Sequence, residues 1–321
     1  MVKLYDLNHP EYGYLEVEVE EFYSNDYPQF FARKGKNTYV RDFFTPIYDV
    51  PIMTWGNKPS DGGNLILSPE ERDELIAKNP ASQKWIRKYL GAKEFIYNLP
   101  LYCLWLEDCP PDELHKMPSV YKRVKAVKEF RLASKKAATR RDAETPWLFQ
   151  ERRQPKSNYL LVPCVSGDRR QYIPIDYMSS DIICGNANFM IPDAKYWHFG
   201  VLTSSAHMAW MRMVCGRLGM SCRYSAEVVY NPFPWPPFSR EVERTASKIL
   251  TVRRKYPETG LADLYDPTIM PKDLRAAHTA NDHAVMEAYD FPKGMTEQQM
   301  QTAFLKLYKR LETLDRLFNG K

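Results

Sequence analysis

Residues able to do covalent chemistry are present in this chain, but their spacing assembles no familiar reaction centre. His278 and His283 stand five apart, which puts them on different faces of a helix and makes them poor joint metal ligands. Asp181, Asp193 and Lys195 satisfy an acid…acid-x-Lys nuclease spacing, but the proline expected before the first acid is missing. They read as two turn acids and a surface lysine. Asn231-Pro232-Phe233-Pro234 approaches the Asn-Pro-Pro-aromatic pattern with which amino-methylating enzymes hold a base, yet Phe233 separates prolines that must be adjacent. No glycine-rich cradle for a dinucleotide, a nucleoside triphosphate or S-adenosylmethionine occurs, and Gly62-Gly63 reads as a tight turn. The six cysteines, at 103, 109, 164, 184, 215 and 222, form no CxxC pair, so reduced thiols in a cytoplasmic protein are expected rather than zinc. No catalytic, cofactor or metal site is assigned.

The remaining chemistry is that of binding. The net charge of the 321 residues is only +5, but it is unevenly spread. Residues 1–117 carry 13 Lys/Arg against 19 Asp/Glu, whereas residues 118–238 carry 18 against 9. Nine bases and a single acid, Glu129, fall between 122 and 141. Lys122, Lys125, Lys136 and Arg140 are expected on one helix face, opposite the apolar Val120, Val124, Val127 and Phe130. Further along come Arg152, Arg153, Lys156, Arg169, Arg170, Arg212, Arg217 and Arg223. Short polar residues that suit phosphate oxygens are interleaved, among them Ser157, Ser204 and Ser205. Arginine donates bidentately to guanine edges while Lys, Ser and Thr hold the backbone, so the mixture points to nucleic acid without separating DNA from RNA.

The elements that must position these residues read as an α+β body followed by a small all-helical domain. Strands are expected at 15–19, 38–44, 95–97, 101–106, 158–165, 171–175, 189–191 and 196–202. Ser68-Pro69-Glu70-Glu71 opens a helix running to Lys78, with serine as cap, proline in the first turn and acids following. Other helices are expected over 81–90, 118–141 and 205–218. The four prolines between 232 and 237 exclude regular structure and mark a boundary. Beyond it lie a helix carrying Val242, Ala246, Ile249 and Leu250, a second from Pro271 to Tyr289, and a third with Met300, Phe304, Leu307 and Leu311 at helical spacing. No run of 18 apolar residues occurs, so no membrane-spanning helix is expected, and the first residues lack the apolar core of a secretory signal.

Several ordered runs resemble the C-terminal third of type IIL restriction–modification enzymes. They include Gly56-Asn57-Lys58-Pro59-Ser60-Asp61-Gly62-Gly63, Phe130-Arg131-Leu132-Ala133-Ser134-Lys135-Lys136-Ala137 and Arg153-Gln154-Pro155-Lys156-Ser157-Asn158-Tyr159. Further runs are His198-Phe199-Gly200-Val201-Leu202-Thr203-Ser204-Ser205, Cys215-Gly216-Arg217-Leu218 and Tyr230-Asn231-Pro232-Phe233-Pro234-Trp235-Pro236. The resemblance implies an N-terminal segment over 1–44, a DNA target recognition domain over 45–238 and a C-terminal helical domain over 239–321. It implies a sequence-specific duplex-DNA recognition module of an adenine-N6 methyltransferase of a type II system. The endonuclease and methyltransferase regions lie outside this sequence, in the same full-length chain or a partner subunit. S-adenosylmethionine and Mg2+ are expected only there.

In the resembled enzymes the stretch after Gly-Arg-Leu carries paired charged residues that read C·G or G·C. Carried over, those positions are Gly219 and Ser221, with Arg223 two further on and Ala187 as a partner near the preceding strand. The charged pair is missing here, so Gly219 and Ser221 read an A·T pair, tolerate several bases, or leave recognition to water. Arg223 either reads a base directly, clamps a phosphate or forms a salt bridge with a turn acid. Lys58, Lys122, Lys125, Lys136, Arg140, Lys156, Ser157, Arg169, Arg170, Ser204, Ser205 and Arg217 are the backbone-contact candidates. The competing expectation is a protein-interaction module of such a complex, with no base reading of its own.

Overall fold

A computed structural model describes residues 43–319 continuously and, before them, the strand segments 2–5, 14–23, 28–33 and 39–40; side chains are described for Val40 and 43–310. The first segments are β1 (Val2–Tyr5), β2 (Tyr14–Tyr23), β3 (Pro28–Arg33) and β4 (Tyr39–Val40). β2 pairs antiparallel with each of the others. The strand expected at 15–19 lies inside β2. Of that expected at 38–44, Tyr39–Val40 form β4 and Phe43 and Phe44 stand outside any strand, while 38, 41 and 42 lie outside the described residues.

From residue 43 the chain builds two cores. The first elements are β5 (Thr54–Trp55), β6 (Ile66–Leu67), α1 (Pro69–Lys78), β7 (Ile86–Leu90), α2 (Ala92–Tyr97), β8 (Tyr102–Leu104), α3 (Pro111–His115), α4 (Pro118–Leu132) and α5 (Ala137–Arg141). The smaller core is built from β6, α1, β7, β8, α3 and α4, whereas β5 joins the larger sheet and α2 packs Phe95 and Ile96 into the larger core. β6, β8 and β7 pair antiparallel and bury Leu65, Leu67, Cys103 and Leu104 against Val120, Val124 and Val127 of α4. α1 starts as its sequence requires. The Ser68 hydroxyl accepts the Glu71 N–H, and the Glu71 carboxylate accepts the Ser68 N–H, satisfying two end donors at once.

Three expectations for this half need correction. The helix placed at 81–90 is a 3₁₀ turn, Pro80–Trp85, followed by β7, whose N–H groups are taken by β8. The strand placed at 95–97 is α2, which ends at Asn98 in the left-handed region (φ 52°). The helix placed over 118–141 breaks after Leu132. There the Arg131 carbonyl accepts the Ser134 N–H, and the Ser134 hydroxyl accepts the Lys136 N–H, which turns the chain before α5. Lys136 and Arg140 therefore leave the face that holds Lys122 and Lys125. On α4 the inward stripe is completed by Arg131, 1% exposed, while Phe130 is 47% exposed.

The larger core holds β9 (Tyr159–Pro163), β10 (Val165–Ser166), β11 (Asp176–Met178), β12 (Ile183–Cys184), β13 (Asn188–Pro192), α6 (Tyr196–Leu202), α7 (Ser205–Val214), β14 (Gly216–Leu218) and β15 (Ser221–Arg223). One antiparallel sheet runs β11-β9-β13-β5; β9, covered on both faces, is apolar at nearly every position. β12 instead crosses to the smaller body and pairs parallel with β7. A three-stranded sheet, β10-β15-β14, stands at the edge. Residues 171–175 precede β11 rather than forming a strand, and 196–202 is helix α6. From Trp197 to Leu202 that segment is buried on all sides, so its composition carries no period to separate helix from strand. α7 stops at Val214 because Gly216–Leu218 is claimed by the edge sheet.

The C-terminal helices are α8 (Arg240–Arg253), α9 (Leu261–Leu264), α10 (Lys272–Ala288) and α11 (Glu297–Asn319). They share the larger core through Val242, Ala246, Ile249, Leu274 and Phe304. Their junction is polar as well as apolar. Buried Arg253 of α8 donates to the Ile175 carbonyl (2.6 Å) and to the Tyr265 hydroxyl, which also meets Nε2 of buried His278 (2.8 Å). Asp282 accepts from the Tyr172 hydroxyl and from the Ser205 N–H, each at 2.7 Å. Asn231-Pro232-Phe233-Pro234-Trp235 is a structural strap: Asn231 donates to the Phe43 carbonyl while Phe233 and Trp235 fill the core.

Candidate nucleic-acid interface

The edge sheet brings the four base-reading candidates to one region. β14 and β15 form a hairpin with Leu218 opposite Ser221 and Gly216 opposite Arg223, leaving a two-residue turn, Gly219-Met220. Gly219 has φ 58°, and a glycine with positive φ at the first turn position is the pattern of a II′ hairpin, whose twist matches that of its strands. Arg223 also faces Val165 across β10. Ala187 joins through the backbone: its carbonyl accepts the Cys164 N–H, and the Cys164 carbonyl accepts the Tyr224 N–H. Ala187, Gly219 and Arg223 are exposed and Ser221 is half-buried.

Directly opposed residues share a sheet face, so Val165, Gly216, Leu218, Ser221 and Arg223 lie on one side. The other side carries Ser166, Cys222 and Arg217; the first two are buried and anchor the sheet to the core. There the Arg217 guanidinium donates to the Cys222 sulfur at 3.1 Å. The thiol of Cys222 is brought down to about 7 by the hydrogen bond with neighbouring Cys215, with Arg217 adding to the effect.

The backbone-contact candidates divide by their partners. Lys122, Lys125, Lys136, Arg140, Lys156 and Arg169 are exposed, and neither they nor Arg217 form an ion pair among the described residues. Lys125 lies over the Tyr121 ring, 4.7 Å from its centroid. Arg140 donates to the Ser134 and Lys135 carbonyls, so it also holds the turn after α4. Lys58 pairs with Glu151 at 3.4 Å, and Arg170 is half-buried, its pKa lowered by desolvation. Arg152, Arg153 and Arg212 are tied to Glu107, Glu151 and Glu297. Ser157 and Ser205 are half-buried, and Ser205 gives its N–H to Asp282. Ser204 needs correction as a phosphate contact. It is fully buried, its hydroxyl donating to the Val201 carbonyl and accepting the His207 N–H as the cap of α7.

Two polar groups inside the resembled runs are structural, which their types alone did not reveal. Arg131 donates to the carbonyls of Pro59, Ser60, Asp142, Thr145 and Leu148 at 2.7–3.1 Å. Asn57, fully buried, bonds Gln154, Cys184 and Arg153, and Gly56 lies so close to Gly185 that a Cβ would sit 2.2 Å from its carbonyl oxygen. The acid…acid-x-Lys spacing brings no cluster: Asp181 pairs with Arg87 at 3.5 Å, and Asp193 ends β13 with φ 56°. Among the described residues no three His, Cys, Asp or Glu side chains gather to hold a metal ion. The described cysteines are all buried and free, and no described helix is long and apolar enough to cross a membrane.

An α+β body that anchors one face of a hairpin and exposes the other beside unpaired cations is built for recognition. The profile of the family described as "MmeI, target recognition domain" matches residues 34–237, and that of "MmeI, C-terminal domain" matches 237–315; the chain belongs to this family. It is 34% identical over 298 residues to "DNA methyltransferase A" of Bacillus subtilis (strain 168), covering 92% of this chain and 34% of that protein. Its fold matches a chain of the type IIL restriction-modification enzyme MmeI in complex with DNA. That TM-score is 0.87, with 37% identity over 93% of this chain and 42% of the other. The chain thus spans about a third of the length of this curated relative.

Proposed function

We propose that this chain is the sequence-reading part of a restriction–modification enzyme, binding duplex DNA and presenting its site to an adenine-N6 methyltransferase and an endonuclease. The observation that carries this is the edge hairpin: Ser221 and Arg223 on an outward sheet face, with Ala187 and Gly219 beside them. A two-stranded ribbon fits the major groove, where each base pair presents a distinct set of donors and acceptors. Lys122, Lys125, Lys136, Arg140, Lys156, Arg169 and Arg217 hold phosphates, with Ser157, Ser205 and half-buried Arg170 as lesser contacts; Lys58 does so after giving up Glu151. Similarity to the DNA-bound type IIL enzyme supports the reading.

Within it, recognition occupies 45–238, and 239–321 braces the sheet. S-adenosylmethionine and Mg2+ belong to catalytic domains outside this sequence, and the enzyme works in the cytoplasm, where six free thiols stay reduced. The test is selection of bound duplexes from a random pool. A defined site should emerge, and Arg223→Ala should relax one base position at a cost of about 1–3 kcal/mol. A pool that returns no enriched sequence refutes the proposal and favours docking to protein.

A further inference from the structure

The outward face of the edge sheet is more apolar than base reading by Ser221 and Arg223 requires. Leu218 is 61% exposed and Met220, at the turn, 77%. Val165, on the same face as Leu218 and directly across from Arg223, is also exposed. Large apolar side chains at a hairpin tip do nothing for the fold when no core residue covers them, and Gly219 between them has nothing within 4 Å of where a Cβ would stand. Their neighbours decide what they suit. Arg223 and Arg217 flank them without ion-pair partners among the described residues, so a polyanion is attracted to this tip. A lone apolar protein patch is not.

Resting on the recognition reading above, we infer that Leu218 and Met220 are specificity-determining residues that read thymine by its C5-methyl group in the major groove. The methyl is the one apolar feature by which a base pair declares itself there, and it is matched by apolar side chains. Strands about 4.8 Å apart make the β14–β15 ribbon narrow enough for a groove about 12 Å wide. Leu218 is opposite Ser221, so one sheet position offers a methyl contact and a hydroxyl together. Arg223, opposite Gly216, projects from the same face two residue pairs further from the tip. This face therefore reads an A·T pair at its tip and a guanine or phosphate behind it. It also accounts for the missing charged pair at Gly219 and Ser221: a thymine methyl needs no charge.

The test uses the whole chain and duplexes selected from a random pool, with each thymine of the enriched site replaced in turn by deoxyuridine. That change removes only the methyl and leaves the protein untouched. At one or two positions the wild-type protein should bind about fourfold more weakly, the effect of one buried methyl-sized group. Leu218→Ala or Met220→Ala should abolish the difference there, binding the thymine and deoxyuridine duplexes alike. Both side chains are exposed, so the unfolding midpoint should be unchanged. Wild-type affinity that is indifferent to every thymine methyl overturns the inference while leaving sequence recognition intact, as does a preference that survives in both variants. A pool with no enriched site overturns recognition and this inference together.

Discussion

Replacing Arg131 tests whether the loops beside the basic helix are held from inside. Its guanidinium serves five carbonyls in two loops, Pro59–Ser60 and Asp142–Leu148, at distances from 2.7 to 3.1 Å, and is 1% exposed. A hydrogen bond to a charged group contributes about 1.5–3 kcal/mol, and a buried acceptor left dry costs about 1–3 kcal/mol. Five of each cannot simply be summed, because the carbonyls relax together and water enters. The larger values for single substitutions give the scale, so Arg131→Ala should destabilise the protein by about 4–5 kcal/mol. Arg131→Met, which restores most of the volume but none of the donors, should recover little; Arg131→Lys, with one ammonium in place of a planar fork, should recover part. Urea unfolding of the whole chain measures each variant. Since Lys136 and Arg140 lie between Arg131 and the Asp142–Leu148 loop that it holds, duplex affinity at low salt should fall in the same order. If Arg131→Met matched wild-type stability, packing rather than carbonyl binding would hold these loops, and the reasoning would fail.

Two further outcomes follow from the surface charges and the buried histidines. Removing Lys122, Lys136 and Arg140 together should weaken binding to every duplex alike and flatten the salt dependence by about 0.9 in log–log slope for each phosphate no longer neutralised, as binding titrations across salt concentrations will show. A changed base preference would reassign these residues to base reading. Burial pushes His207 down to about 3 and His198 to about 4, and holds His278 well below its usual value, so all three are neutral in the native protein. In the unfolded chain they take protons near pH 6.5. Their contribution is thus complete above 6.5 and is lost as the pH falls towards their native values, by about 1.4 kcal/mol per histidine per pH unit. Burial raises Asp282, whose contribution has the opposite sign: complete below its unfolded value and lost as the pH rises through the native one. Unfolding midpoints should drop between pH 6.5 and 5, and less steeply in His207→Gln; a flat profile contradicts the assignment.

What was readable from the sequence follows from the range of the forces involved. Local rules are enough for α1, where cap, proline and first-turn acids sit within four residues, and for α8 and α10, whose buried residues recur at helical spacing. They failed where tertiary partners decide. Ile86–Leu90 is a strand because β8 and β12 flank it, and Tyr196–Leu202 is a helix although burial of Trp197 to Leu202 on all sides erased its period. The basic stretch was legible, its geometry less so: the helix breaks at a turn tied by the Ser134 hydroxyl and braced by Arg140 and Arg131. Ser204 looked like a phosphate ligand because a serine before a helix suits both a bound anion and the helix itself. The hairpin carries a local signal of its own. Gly219-Met220 between Arg217-Leu218 and Ser221-Cys222 is a two-residue turn with glycine first, which is incompatible with a helix running past Val214.

The edge sheet has a consequence for how such proteins diversify. Its inward residues, Ser166 and Cys222, are buried, whereas Leu218, Met220 and Arg223 are exposed and Gly219 is fixed by the positive φ of its turn. On the proposed reading, folding instructions and recognition letters are written in different residues, alternating along the same short strands. Single exchanges at Leu218, Met220 or Arg223 should then change the preferred site while the protein still folds.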